Sequence, residues 1–407
     1  MKRFERYFSR NREAVVLEFP AGLELLAVIP VLDDPDVWKT LRSLAPGRPG
    51  KAGAIVVVNH AAGCPEEVKE RNGRMYWELL AEAESNPFLQ VIRAFDLPDR
   101  EAGVGTARKI GMDAAALYFW KEKNGEGVIA SLDADTLTEE NYTEALLSGF
   151  RNNRLAGVTL AYAHRTEPGT PPVEAEAICR YELYLRYYRL ALQYTGHPYA
   201  YTCLGSAFAV RAADYAAEGG MNRRQAGEDF YFLQKLIATG RFAHLNTTCV
   251  HPSARISFRT PFGTGQAVAR MVKEGGAFTT YSFDAFRCLK SLFDSVDGYY
   301  KAGGAFAAEW VEKQPEALRV FLRENDLAAL LEEVNANSAS PVQFRKRFFD
   351  GFNAFRVLKF LNRVHPACYR KEPVEKVARE LLAACGRPPE NGAGAAELLE
   401  RLRELDM

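Results

Sequence analysis

Four short apolar runs punctuate the first third of the chain, at 24–30 (ELLAVIP), 54–58 (AIVVV), 89–94 (LQVIRA) and 127–132 (GVIASL), each bounded by polar or turn-forming residues. Runs this short and this continuous predict strands buried on both faces, as in a parallel sheet. Residues 105–120, between the third and fourth runs, follow a Gly-rich turn and carry a helical pattern. Strands alternating with helices predict an α/β fold, a mostly parallel central sheet flanked by helices. Sheets of this kind hold ligands at the carboxyl ends of their strands, and Asp33, Asn59, Asp96 and Asp133 all fall there.

A fifth strand is expected at 156–161 and a long helix at 174–194, whose tyrosines at helical spacing read as core and rim packing. After residue 265 helical patterns succeed one another, separated by Gln314-Pro315, Ser340-Pro341, Glu372-Pro373 and the Pro/Gly/Ala stretch 386–395. The expected division is therefore a sheet-bearing domain at 1–265 and a helical C-terminal extension at 266–407. Segment 342–363 interleaves Phe344, Phe348, Phe349, Phe352 and Phe355 with basic residues. Two readings are open for it: a helix docking its apolar face on the catalytic domain, or a weak membrane-surface contact.

Composition adds mainly exclusions. The chain has 407 residues, with 52 basic and 52 acidic side chains and a formal net charge of zero, so no global field draws it to nucleic acid. No stretch approaches the roughly 18 apolar residues that span a bilayer, and the charged N-terminus lacks the apolar core of a secretory signal, which points to the cytoplasm. Seven dispersed cysteines without a CxxC pair argue for reduced thiols rather than a disulfide scaffold or zinc knuckle. Homo-oligomerisation is left open.

The chemistry-bearing residues cluster around acidic pairs. Asp133 and Asp135 emerge directly after a buried strand, and alternation sends them to opposite sides. The first can reach a ribose or base. The second can coordinate a divalent cation, Mn2+ or Mg2+, shared with a diphosphate. Glu228-Asp229 opens a second helical pattern, where a carboxylate either caps the helix or acts as a general base. His251 follows another short strand and is a candidate second metal ligand; Arg255 and Arg259 beyond it could neutralise diphosphate charge. The Gly103-Val104-Gly105 turn lacks the third glycine of a dinucleotide fingerprint, and no phosphate loop, GxSxG elbow or HExxH pair occurs.

Taken in order, Val28-Ile29-Pro30-Val31, the Gly103–Gly111 segment, Leu132-Asp133-Ala134-Asp135, Gly219-Gly220-Met221 and Gly227-Glu228-Asp229-Phe230 resemble the inverting glycosyltransferases of family 2 over residues 24–265. The resemblance implies a GT-A type nucleotide-diphospho-sugar transferase fold, a nucleotide-sugar donor and an acceptor it does not identify. It places Pro30, Val31 and Asn59 around the nucleobase with Asp96 beside them, Arg108 near the diphosphate, Gly205 along the donor sugar, and Asp229 as catalytic base supported by Glu228. The usual acidic residue after the second strand is replaced by Asn59-His60. The sequence Gln266-Ala267-Val268-Ala269-Arg270-Met271 lacks the tryptophan of the processive QxxRW motif, which implies a soluble, single-transfer enzyme. The glycines of segment 251–265 suit a loop closing over the diphosphate. A retaining transferase of the same fold and a non-catalytic nucleotide- or sugar-binding relative are the alternatives.

Overall fold

Every position of the first strand, β1 (Leu25–Val31), is buried, and nine of the ten residues of β2 (Ala52–Ala61) are buried too. Such strands are stable only with neighbours on both edges and helices on both faces. A computed structural model of the chain supplies them. It describes all residues except 46–49, 223–226, 257–263, 274–277, 303–308, 366 and 407. The chain divides into two compact units, Met1–Ala175 with Cys203–Arg270, and Glu176–Thr202 with Met271–Met407.

The first unit carries a mixed eight-stranded sheet. Its other strands are β3 (Leu89–Leu97), β4 (Val128–Ser131), β5 (Leu137–Thr138), β6 (Gly157–Tyr162), β7 (Phe208–Arg211) and β8 (Phe242–His251), and the spatial order is β3-β2-β1-β4-β7-β6-β8-β5. Four pairings are parallel, β1 with β2 and β4, β2 with β3, and β6 with β8. The antiparallel pairings all involve β7 or β5. Because β7 runs backwards between β4 and β6, Phe208 faces Ser131, and the segment entering β7 reaches the carboxyl end of β4. Likewise Leu137 pairs with His251, so the chain leaving Asp135 meets the carboxyl end of β8.

Pro30 sits in a central strand without breaking it. The Val28 carbonyl accepts from Leu132 N–H on the β4 side, where the β4 ladder ends, so by alternation the missing N–H of Pro30 points beyond that end. Two helices matter most for the site, α1 being Lys2–Phe8, α2 Val37–Leu44, α3 Glu66–Ser85, α4 Val104–Lys121, α5 Tyr142–Asn153, α6 Pro172–Tyr194, α7 Ala212–Ala217 and α8 Glu228–Ile237. They are α4 and α8. Helix α4 begins after Gly103, whose φ of 145° a side chain would not tolerate. It approaches the sheet so closely that a Cβ on Gly111 would lie 2.4 Å from Val28 Cγ1.

The second unit is helical and has its own core. Phe344, Phe348, Phe349, Phe352, Phe360 and Leu361 are buried there with Phe286, Leu289, Leu318 and Leu381. The aromatic face of segment 342–363 is thus enclosed in this unit's interior rather than offered to a bilayer, and only Phe355 among its phenylalanines is exposed. The contacts follow from ordinary amphipathic patterning, with Ser340 and Asn353 capping the two helices 341–351 and 354–364. Residues 176–202, expected from sequence to continue the sheet-bearing region, belong to this unit. Among the described residues no helix is long and apolar enough to cross a membrane.

Candidate functional site

The carboxyl ends of β4 and β1 and the starts of α4 and α8 bring the two acidic segments together through one arginine. Arg108, in the first turns of α4, is fully buried. Its Nη2 donates to Asp133 Oδ1 at 2.6 Å and its Nη1 to Glu228 Oε1, so a single guanidinium ties the loop after β4 to the N-terminus of α8. The arginine's planar fork suits this two-partner geometry better than a lysine's point charge. Gly205 closes the space above it, since a Cβ there would stand 2.6 Å from Arg108 Nη2. Ser131 Oγ donates to the Gly205 carbonyl at 2.6 Å, fixing the segment entering β7 against the end of β4.

Asp229, next to Glu228, is half-buried, and its Oδ1 accepts from the Phe230 N–H at 2.7 Å. Burial pushes both carboxyls above the ordinary range, Glu228 to about 7, while the Arg108 guanidinium pulls the other way. The Cys203 thiol also lies near Asp229 and is held protonated by burial. A carboxylate with raised proton affinity, at the helix N-terminus that opens α8, suits proton transfer.

Asp135 occupies a different environment from Asp133. Its Oδ2 lies 3.2 Å from Arg255 Nη2, and its carbonyl accepts from Arg165 Nη2 at 3.2 Å. Arg255 is shared further with Asp36, at 3.1 Å, and with Asp34, both just beyond β1. Arg259 lies outside the described residues. Among the described residues Glu139, Cys249 and His251 form a metal-competent group whose donor atoms lie within 4.8 Å of one another.

The expected base-binding corner is assembled but differently used. In the parallel register Val31 stands beside Val58, next to Asn59. The Asn59 side-chain amide donates to the Val31 carbonyl at 2.8 Å, the Asn59 backbone carbonyl accepts from the Asn72 side chain at 2.9 Å, and the Asn59 side chain is buried, so it fixes the strand ends. Asp96 is the accessible group there, 64% exposed, with Oδ1 3.8 Å from His60 Nδ1. Its φ of 54° places it in the left-handed region, which turns the chain at the end of β3. Pro30 and Val31 are buried in β1.

Sequence reasoning missed Arg165, Asp34, Asp36, Glu139 and Cys203. Arg165 was within reach of the same rule that found the others, since it lies just past the carboxyl end of β6. Asp34 and Asp36 stand in the Asp33-Asp34-Pro35-Asp36 run after β1, and nothing local marks which of its acids faces Arg255. Cys203 and Glu139 carry no signal without the strand pairings.

No family model matches the chain, and no curated protein matches it. Solved structures do. A structure of GalNAc-T7 with UDP, GalNAc and Mn2+ aligns with 14% identity and a TM-score of 0.38, covering 68% of this chain and 50% of that one, so the chain spans about half of its length. Residues 1–349 of S. aureus TarS in complex with UDP-GlcNAc align with 12% identity and a TM-score of 0.40, covering 82% of this chain and 92% of that one. The longer S. aureus TarS structure aligns with 13% identity and a TM-score of 0.38, covering 81% and 55%. All three alignments stay at or below 14% identity and a TM-score of 0.40.

Proposed function

We propose that this protein transfers a sugar from a nucleotide diphosphate donor to an acceptor hydroxyl by direct displacement, with inversion at the anomeric carbon. The observation that carries the reading is the Arg108 bridge, which joins Asp133 to Glu228 and sets Asp229 beside them. Segments far apart in sequence thereby share one strand-end site, where α/β sheets bind ligands.

The roles follow from the environments. Asp133, 41% exposed at its side chain and oriented by Arg108, faces the nucleoside. Asp135 would hold the Mn2+ or Mg2+ ion. It fits, because its carboxylate is a hard oxygen donor, 24% exposed. When bound, such a cation supplies charge neutralisation to a departing diphosphate. Arg255 stands next to that position and adds positive charge on the leaving group's side. Asp229 accepts the acceptor's proton, burial having raised its proton affinity above the ordinary carboxylate range. Glu228 and Arg108 hold the start of α8 in place. The buried Asn59 supports the donor corner through the strand ends, leaving Asp96 to contact the nucleoside.

The test is a screen of nucleotide-sugar donors with Mn2+ or Mg2+, followed by proton NMR of the product. Donor consumption with an inverted anomeric coupling is expected. A retained configuration sinks the direct displacement. Metal-independent nucleotide binding without turnover favours a non-catalytic role.

A further inference from the structure

The strand pairings assemble one set of metal-competent side chains that the transfer reaction does not use. Cys249 and His251 stand two positions apart on β8, so their side chains share one face of the strand. Strand β5 pairs antiparallel with β8, Leu137 against His251 and Thr138 against Val250, so Glu139 comes opposite Cys249. The Cys249 N–H donates to Glu139 Oε2 at 3.1 Å, which aims that carboxylate along β8. Its other oxygen, Oε1, lies 3.6 Å from His251 Nε2.

The histidine's orientation is what points to an ion. His251 Nδ1 lies 3.3 Å from the Ala163 carbonyl. A carbonyl only accepts, so Nδ1 carries the proton, and in neutral imidazole Nε2 then presents its lone pair. Nε2 has Glu139 Oε1 at 3.6 Å, and the donor atoms of all three side chains lie within 4.8 Å of one another, the Cys249 thiol donating meanwhile to the Val250 carbonyl at 3.5 Å. Either a second proton on the ring or a cation can bridge this nitrogen to the carboxylate. A backbone carbonyl that fixes the tautomer is the usual outer partner of a metal-bound histidine.

We infer that Glu139, Cys249 and His251 form a zinc-type cation site at the edge of the sheet, independent of the transfer reaction and of the cation on Asp135. The donor set is one oxygen, one sulfur and one nitrogen, which suits Zn2+ rather than Mg2+. Three protein ligands leave a fourth, tetrahedral position for water or a small ligand. Cys249 loses its thiol proton on binding and His251 loses none, so one proton is released. Because β5 is only two residues long, such an ion clips it to β8 and anchors the far end of the loop that carries Asp135.

Titration of the full chain with Co2+, and competition with Zn2+, tests this. One equivalent of Co2+ gives tetrahedral visible bands with a thiolate-to-cobalt charge-transfer band. Cys249→Ser abolishes that band while Cys64→Ser keeps it. His251→Gln and Glu139→Gln weaken binding by at least the roughly 10-fold typical of losing even an outer-shell partner. Zn2+ protects Cys249 of the unsubstituted chain from alkylation, read by mass spectrometry, which keeps the test sound if a variant fails to fold. Absence of the band and of protection leaves a simple imidazolium–glutamate pair and overturns the inference. So does loss of the band in Asp135→Asn, which would merge the site with the donor cation.

Discussion

Glu228→Gln probes the energetic cost of the carboxyl that Arg108 holds at the start of α8. In the folded protein Glu228 is pushed from 4.5 to about 7, with burial as the largest cause and Arg108 opposing it. The folded state therefore binds a proton that the unfolded state has released in the interval between those values. The sign follows: stability is fully present below 4.5 and is lost as pH rises through about 7. At about 1.4 kcal/mol per pH unit the loss comes to about 3 kcal/mol. Gln keeps the volume and an acceptor oxygen for Arg108 but exchanges no proton. Urea unfolding of the two proteins from pH 4 to 8 reads the effect, because groups other than the neighbouring Asp229 and Asp133 cancel in the difference. The parent should lose about 3 kcal/mol relative to the variant across that range. A flat difference, or a parent that gains on the variant as pH rises, means the Arg108 ion pair outweighs burial and refutes the reasoning.

Other perturbations follow from the same structure. Gly205→Ala places a methyl 2.6 Å from Arg108 Nη2, so it should cost about 1–3 kcal/mol in urea unfolding and weaken nucleotide binding in calorimetry; an unchanged affinity would remove Gly205 from the site. Gly111→Ala should also destabilise by about 1–3 kcal/mol in thermal unfolding, despite a helix preference of about 1 kcal/mol in alanine's favour, because its Cβ meets Val28 at 2.4 Å; a stabilised variant contradicts the close packing. In the second unit, His197 is buried, with Nε2 2.9 Å from the Phe352 carbonyl and Nδ1 accepting from Tyr199 N–H, and burial lowers its pKa to about 4. Its contribution is fully present above 6.5 and is lost as pH falls through about 4, the opposite sign to Glu228, and NMR titration of the ring near 6.5 would contradict it.

Much of the sheet was legible because its central strands are uninterrupted apolar runs. β1, β2 and β4 announce themselves by composition, and α4 by its turn and helical spacing. β3 and β6 were expected as well, at 89–94 and 156–161, whereas β5, β7 and β8 are harder for physical reasons. β5 has two residues and β7 four, too short for any period to show, and β8 (FAHLNTTCVH) mixes polar with apolar positions. Those strands decide the site, because they bring Gly205 to Arg108 and Glu139 to His251. Asp133 and Asp229 were readable as chemistry, whereas their connection through Arg108 is a long-range contact with no sequence period. The register of β5 on β8, which no sequence period reveals, sets Glu139 and Cys249 beside His251. The phenylalanines of 342–363 showed an apolar face but not which surface would cover it.

The central claim, that Asp229 is the base in transfer from a nucleotide sugar, is tested most directly by Asp229→Asn in single-turnover transfer with donor binding measured alongside. The account predicts a rate lowered by about 10²–10⁴ with donor affinity essentially unchanged. Transfer at close to the parent rate would contradict it.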